Sequence, residues 1–263
     1  MYDNRPIGVF DSGIGGLTVF SEIKKLLPQE YFIYFADQAS FPYGRKSKAQ
    51  LRSLAHQAVK FLLSKNVKAI VIACNTGTVY AIDSLRSKFG LPIIGVVPVV
   101  KTIVENTKTG KTLVFATPAT AKSHYLEDLV RRFSNGKKVY IGGGSNLEKL
   151  IEKGRVEDPA IDKILDKNLM PFIRGGVDSI ALGCTHYPFV RQRIEAKVGS
   201  LAQVYDSGAA VARRVKQILA KEELLSSERG EDVFYTSGNP VKFKLISEKL
   251  LKEKLARVEK AVI

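Results

Sequence analysis

Cysteine and histidine are scarce in this chain, at two and three residues among 263. That supply is too small for a closed structural zinc site with a second metal elsewhere, and no metal is expected. A single disulfide is the most that two cysteines allow, and a cytoplasmic setting argues against a stable one. Long apolar runs are also missing: stretches such as residues 70–73 and 93–100 fall far short of a bilayer span. The first residues lead straight into a strand-like Ile7-Gly8-Val9-Phe10, without a basic segment and an apolar one behind it. No secretory signal is read there, so the expected location is cytoplasmic, with no membrane partner. Low-complexity tracts and extended linkers are absent. Acidic residues are outnumbered, 26 against 41 basic, for a net charge of +15. Such a balance suits nucleic acid or acidic substrates. No aromatic-basic module accompanies it, however, and the lysines fall on alternating-sign faces such as Glu22-Ile23-Lys24-Lys25 and the stretch 249–260, read as outward helix faces. Nucleic acid is therefore not the expected partner.

What is present is regular. Hydrophobic residues make up 45% and charged residues 25%, as in ordinary globular domains. Short β-branched runs alternate with amphipathic stretches: strands at 7–10, 31–35, 69–73 and 92–96, helices at 17–27, 48–64, 79–89 and 100–107. After a turn at Lys108-Thr109-Gly110-Lys111 a second series begins, with strands at 112–116, 138–142 and 179–182 and helices at 123–133, 147–153 and 158–173. A return point at Tyr205-Asp206-Ser207-Gly208 leads to a helix at 209–220, a last strand at 233–236 and a helix at 241–255. This βαβ alternation predicts an α/β fold of mainly parallel sheets covered by helices on both faces. Sites in such sheets lie beyond the carboxyl ends of strands.

Both cysteines stand there. Ile70-Val71-Ile72-Ala73-Cys74-Asn75-Thr76 and Ile180-Ala181-Leu182-Gly183-Cys184-Thr185-His186 are buried-type strands, each ending in a cysteine and small polar residues. One such cysteine reads as a small core residue; the same arrangement twice, using every cysteine in the chain, reads as chemistry. Backbone amides and a helix N-terminus beyond each strand are expected to favour thiolate and to hold a carboxylate without a metal. Two thiols facing one cleft suit two-base proton transfer, one removing a proton from a stereocentre while the other supplies one to the opposite face. The loop Asp11-Ser12-Gly13-Ile14-Gly15-Gly16-Leu17-Thr18 follows the first strand; its spacing fits neither G-x-G-x-x-G nor a P-loop, but its glycines allow close approach and its amides can face an anion. Asp11 reads either as a helix N-cap or as a charge that biases a nearby cysteine.

These motifs, in this order, resemble the glutamate racemases of the aspartate/glutamate racemase superfamily. The resemblance runs through Asp11 to Gly16, Tyr34-Phe35-Ala36-Asp37, Pro42-Tyr43-Gly44, Ala73 to Thr76, Ala116-Thr117-Pro118-Ala119-Thr120 and Leu182 to Pro188. It extends to Phe234-Tyr235-Thr236-Ser237-Gly238-Asn239-Pro240. It implies two similar α/β domains in pseudo-twofold relation, residues 1–97 with 208–263 and residues 98–207, with the active site in the cleft between them. It implies interconversion of L- and D-glutamate for peptidoglycan, without pyridoxal phosphate or any other cofactor, by a homodimer. Cys74 and Cys184 would be the paired bases, assisted by Asp11 and His186 respectively. Ser12, Asn75, Thr76, Thr117, Thr120 and Thr185 would hold the substrate's carboxylates and ammonium, Pro42, Tyr43 and Gly44 its side-chain carboxylate. Glu152 would stand near the cleft, unless it is a plain exposed helix residue. His56 and His124 read as surface or packing residues.

Two departures bear on substrate preference. Gly77-Thr78 replaces the family's Ala-Ser after Cys74-Asn75-Thr76, and Gly142-Gly143-Gly144-Ser145-Asn146 lacks its Cys-Pro. Alternatives are an aspartate or hydantoin racemase, an arylmalonate-type decarboxylase, which needs only one proton donor, and a basic nucleic-acid- or topoisomerase-binding protein on the same fold. One methylene changes binding by only about 1–3 kcal/mol, so aspartate is the nearest rival. A binding module would need none of Asp11, Cys74, Cys184 and His186 together.

Overall fold

The computed structural model describes residues 2–144 and 146–262; Met1, Ser145 and Ile263, and with Ser145 part of the second departure, lie outside the described residues. The strands are β1 (Ile7–Asp11), β2 (Phe32–Ala36), β3 (Ala69–Ile72), β4 (Ile93–Gly95), β5 (Lys111–Ala116), β6 (Lys138–Gly143), β7 (Ser179–Gly183), β8 (Gln203–Tyr205), β9 (Val233–Thr236) and β10 (Arg257–Lys260). The α-helices are α1 (Leu17–Leu26), α2 (Lys48–Leu63), α3 (Asn75–Lys88), α4 (Val100–Asn106), α5 (Pro118–Ala121), α6 (His124–Phe133), α7 (Leu147–Glu152), α8 (Pro159–Asn168), α9 (Met170–Arg174), α10 (Arg191–Val198), α11 (Gly208–Lys221) and α12 (Pro240–Leu251). Helix starts follow their chemistry. Ser47 and Gln50 close a reciprocal box at α2, while Thr117, Asp158 and Asn239 each cap a helix that opens on proline.

The strands form two wholly parallel sheets, of order β10-β9-β2-β1-β3-β4 and β6-β5-β7-β8. Apolar runs such as Ile7–Phe10 are buried along their whole length because both faces of each sheet are covered. Val9, Tyr34 and Val71 pack on one side of the first sheet and Phe10, Phe35 and Ile72 on the other. The second sheet divides the same way, with Leu113, Ile180 and Leu182 opposite Val114 and Ala181. Each fully buried side chain of this kind contributes about 1.5–3 kcal/mol.

The order β2-β1-β3-β4 in the first sheet is the order β6-β5-β7-β8 in the second. Under that equivalence Cys74, after β3, corresponds to Cys184, after β7. The chain passes between the sheets twice, and Ser207 Oγ donates to Val97 O at 2.6 Å where the two passages run side by side.

Four local readings are corrected. The helix at 79–89 begins four residues earlier, at Asn75, because Cys74 acts as its cap. The helix at 158–173 is two, α8 and α9, broken at Leu169 just before Pro171, whose missing amide cannot continue a helix. The helix at 241–255 stops at Leu251, with Lys252 left-handed at φ 56°. The stretch 249–260 is thus not one helix face: Arg257–Lys260 is a strand on β9, so Val233–Thr236 is not the last. Among the described residues no helix is long and apolar enough to cross a membrane.

Candidate active site

The first cysteine owes its setting to the junction of β3 and α3. Cys74 is the N-cap residue of α3; its Sγ accepts the Gly77 amide at 3.3 Å and lies 3.7 Å from Ser12 Oγ. Gly77 therefore places a backbone donor on the sulfur. Thr78 beside it is structural, its hydroxyl donating to Ile72 O and accepting from Val96 N, each at 3.2 Å. The second cysteine is followed not by an α-helix but by a 3₁₀ turn at Tyr187–Val190, and α10 starts only at Arg191. The expected helix N-terminus is therefore present at Cys74 and missing at Cys184, where His186 Nδ1 stands 3.8 Å from the sulfur instead.

Both thiols are free and buried. Burial pushes the Cys74 thiol well above its usual range, and the charge of Asp11 acts in the same direction against the Gly77 and Ser12 contacts. Burial also raises Cys184, opposed by His186. The expectation of lowered thiol pKa values is reversed, because the cost of desolvating a thiolate exceeds what one amide or one imidazole returns.

The glycine-rich loop does receive an anion, but one from the protein. Ile14 N donates to Glu152 Oε2 at 3.0 Å, and Gln38 Nε2 donates to Glu152 Oε1 at 2.5 Å. The same carboxylate meets His186 Nε2 at 2.7 Å. Its glycines are needed for this approach: a Cβ on Gly13 would lie 2.3 Å from Glu152 Oε2, and one on Gly15 2.3 Å from His186 Nδ1. Glu152 is thus no plain exposed residue. It ties a loop of the first sheet to the histidine of the second. Burial alone would lower the His186 pKa, but the hydrogen bonds to Cys184 and Glu152 carry it well above the usual value.

Asp11 is fully buried, and its Oδ2 accepts Gly16 N at 2.8 Å and Gly13 N at 3.3 Å. It braces the loop rather than capping α1, whose N-cap residue is Gly16 itself. Burial raises its pKa to about 6, against the pull of His186 and the Gly16 amide.

One cavity collects most of the expected residues: Ser12, Pro42, Tyr43, Gly44, Cys74, Asn75, Thr76, Thr117, Cys184, Thr185 and His186 line it together with Phe41 and Glu148. Three expected residues do not line it. Asp11 lies behind the loop. Thr120 supports Thr76 and Thr117 through hydroxyl contacts of 3.0 and 3.1 Å. Glu152 sits behind His186 and faces an adjoining cleft. The turn at Pro42–Gly44 is held by Tyr43 Oη, which donates to Asp37 Oδ2 at 2.8 Å, while Ser237 Oγ donates to Asp37 Oδ1 at 2.8 Å. Asp11 Oδ1, Asn75 Oδ1 and Glu148 Oε2 are buried without a hydrogen-bond partner among the described residues. Phe41 and Glu148 were not anticipated. Phe41 precedes Pro42 and packs 5.5 Å from the His186 ring; its place beside a recognised turn was the available signal. Glu148 carried none. His56 and His124 stand apart, pairing with Ser84 and Glu127. Among the described residues no group of three or more histidine, cysteine and acidic side chains is placed to hold a metal ion.

Two equivalent strand ends presenting a thiol each to one cavity define a class. The chain belongs to the Asp/Glu/hydantoin racemase family, whose sequence model matches residues 7–215. The glutamate racemase of Deinococcus radiodurans is 42% identical over 239 residues, 89% of this chain and 82% of that protein. Among solved structures, glutamate racemase from Bacillus anthracis superposes with TM-score 0.91 at 31% identity, covering 99% of this chain and 98% of that one. Glutamate racemase from Francisella tularensis in complex with D-glutamate gives 0.87 at 33%, with the same coverage. By these kinships the chain falls among the glutamate racemases, which are isomerases.

Proposed function

We propose that this enzyme interconverts L- and D-glutamate by proton transfer between two cysteines, supplying D-glutamate for peptidoglycan. The observation that carries the reading is that both free cysteines line one cavity from equivalent strand ends. One sulfur, as thiolate, takes the proton from Cα; the other, as thiol, gives its proton to the opposite face, and the roles reverse for the other enantiomer. Ser12 and the Gly77 amide support Cys74, with Asp11 behind them. His186, held by Glu152, supports Cys184. The polar side chains Asn75, Thr76, Thr117 and Thr185 hold the substrate's charged groups, backed by Thr120, and the Pro42–Gly44 turn receives its distal carboxylate. Glutamate as substrate is supported by the kinship to glutamate racemases and by the Francisella enzyme's complex with D-glutamate. The chain is read as two domains, 1–97 with 208–263 and 98–207, acting in the cytoplasm as a homodimer.

The test is deuterium incorporation at Cα of each enantiomer in heavy water, with wild type, Cys74→Ser and Cys184→Ser. Wild type is expected to exchange and racemise both enantiomers. Each variant should lose racemisation by about a hundredfold or more, with unequal loss of exchange between enantiomers assigning each sulfur to a face. Absence of exchange by wild type on either enantiomer would overturn glutamate as the substrate, and aspartate is then the next compound to assay.

A further inference from the structure

The cavity contains one ionisable side chain that the two-cysteine scheme leaves idle. Glu148, in the first turn of α7, is 7% exposed, lines the cavity wall, and has a carboxyl oxygen without a partner among the described residues. Burying a carboxyl with one oxygen unpaired is costly in either ionisation state. At the wall of a substrate cavity, that cost points to a ligand atom that completes the pairing.

The groups facing it come from several elements. His186 and Cys184 beyond β7, Tyr187 in the following turn, Arg45 in the turn before α2 and Lys149 on its own helix are close enough to interact with it electrostatically. Glu152 shares the helix, but its oxygens are occupied by Ile14, Gln38 and His186. Arg45 is engaged by Asn146 Oδ1 at 3.0 Å, and Lys149 lines the adjoining cleft. Among the described residues, neither a lysine nor an arginine lines the cavity itself. The substrate nevertheless brings two carboxylates. A substrate carboxylate against Glu148 makes a pair of like charges in a buried space, and such a pair cannot both stay ionised; one proton is shared between them.

We infer that Glu148 contacts the substrate directly, taking up a proton as the dicarboxylate binds and donating it as a hydrogen bond to one of the substrate's carboxylates. The inference rests on the glutamate reading. No bond to the substrate forms: the proton comes from solvent on binding and returns to it when the product leaves. Burial already raises the Glu148 carboxyl above its usual range, in the direction the role requires. The residue would thereby replace the cationic side chain that a dicarboxylate site ordinarily offers.

The experiment compares KM for both enantiomers in wild type and Glu148→Gln between about pH 6 and about pH 9. Glutamine donates through its amide at any pH. The wild-type KM should therefore rise relative to the variant's, by roughly tenfold per pH unit above the apparent pKa, until the variant binds better than wild type at the alkaline end. Calorimetric titration of D-glutamate near pH 8, in buffers of different ionisation enthalpy, supplies a readout independent of turnover. Wild type should take up about one proton more than the variant. No proton uptake by wild type overturns the inference even if the variant fails to fold. So does a KM ratio that is constant with pH, including an equal loss of affinity at every pH, which would mean that Glu148 accepts from the substrate's ammonium. Those results leave glutamate racemisation by wild type standing. A wild type inert toward glutamate removes both readings.

Discussion

Asp11 has a carboxyl with no exposure, two amide donors on one oxygen and none on the other. Its folded pKa of about 6 exceeds the reference of 3.8. Between those values the folded state holds the proton and the unfolded state has lost it, so stability falls as pH rises through that window and the penalty is constant above it. Asp11→Asn keeps an oxygen for the Gly13 and Gly16 amides. It should gain up to about 3 kcal/mol over wild type near neutral pH, an advantage vanishing below about pH 4, in denaturant unfolding across pH. The same variant should lose turnover, since it can no longer carry charge beside Cys74. His186 has the opposite sign. Its raised pKa gives stability that is complete below the ordinary histidine range and lost as pH climbs through the folded value. At this scale the sequence was readable where a rare residue sat at a strand end, as Cys74 and Cys184 do. Glu148 was not readable, because Leu147-Glu148-Lys149-Leu150-Ile151-Glu152-Lys153 has the charge alternation of a solvated helix face, and only the tertiary fold turns that glutamate inward.

Elements were legible in kind and less so in extent. Strands β1, β3, β5 and β7 announce themselves as apolar runs because both of their faces are covered. β8 and β10 do not: they are edge strands of three and four residues, and β10, with the sequence Arg257-Val258-Glu259-Lys260, becomes a strand only because β9 is there to pair with it. The loop after β1 was recognised as an approach for an anion, but its partner came from a helix more than a hundred residues away, beyond what spacing can reveal. Two outcomes belong here. Gly15→Ala should displace His186 from Glu152, lowering turnover by roughly a hundredfold and lowering the unfolding midpoint as well, checked by steady-state kinetics beside thermal melting. Thr78→Ala removes one of two acceptors of the buried Val96 amide, which keeps Ile72 O at 3.1 Å, and should cost about 0.5–1.5 kcal/mol in urea unfolding.

Across the molecule, chain segments distant in sequence meet at a buried ion pair. Lys68 Nζ lies 2.6 Å from Glu30 Oε2 and donates to Ser226 Oγ at 2.7 Å and Asp3 O at 2.6 Å, joining the N-terminal segment, the turn before β2 and the stretch after α11. Lys68→Met strands the Glu30 carboxylate and should cost about 3–5 kcal/mol, with Glu30→Gln in the same background recovering part of it; unfolding free energies of the double-mutant cycle decide the matter. The βα alternation announced two parallel sheets. That the two cysteines would face one cavity followed from their places at strand ends. Pro42, Tyr43, Gly44 and Thr117 were reached only through the family resemblance, and the bracing of one half by the other through Glu152 emerged only in three dimensions.

The shared strand order of the two sheets has a kinetic corollary. Enantiomers have equal free energy in solution, so the equilibrium constant of the proposed reaction is unity and kcat/KM must be the same in both directions, whatever the catalyst. Yet the two sulfurs are equivalent only in backbone position: one is backed by a hydroxyl and an amide, the other by an imidazole paired with a carboxylate. That inequality cannot surface in the ratio. It must divide between the numerator and the denominator, so the enantiomer with the higher turnover number will be the one that saturates the enzyme later, in the same proportion.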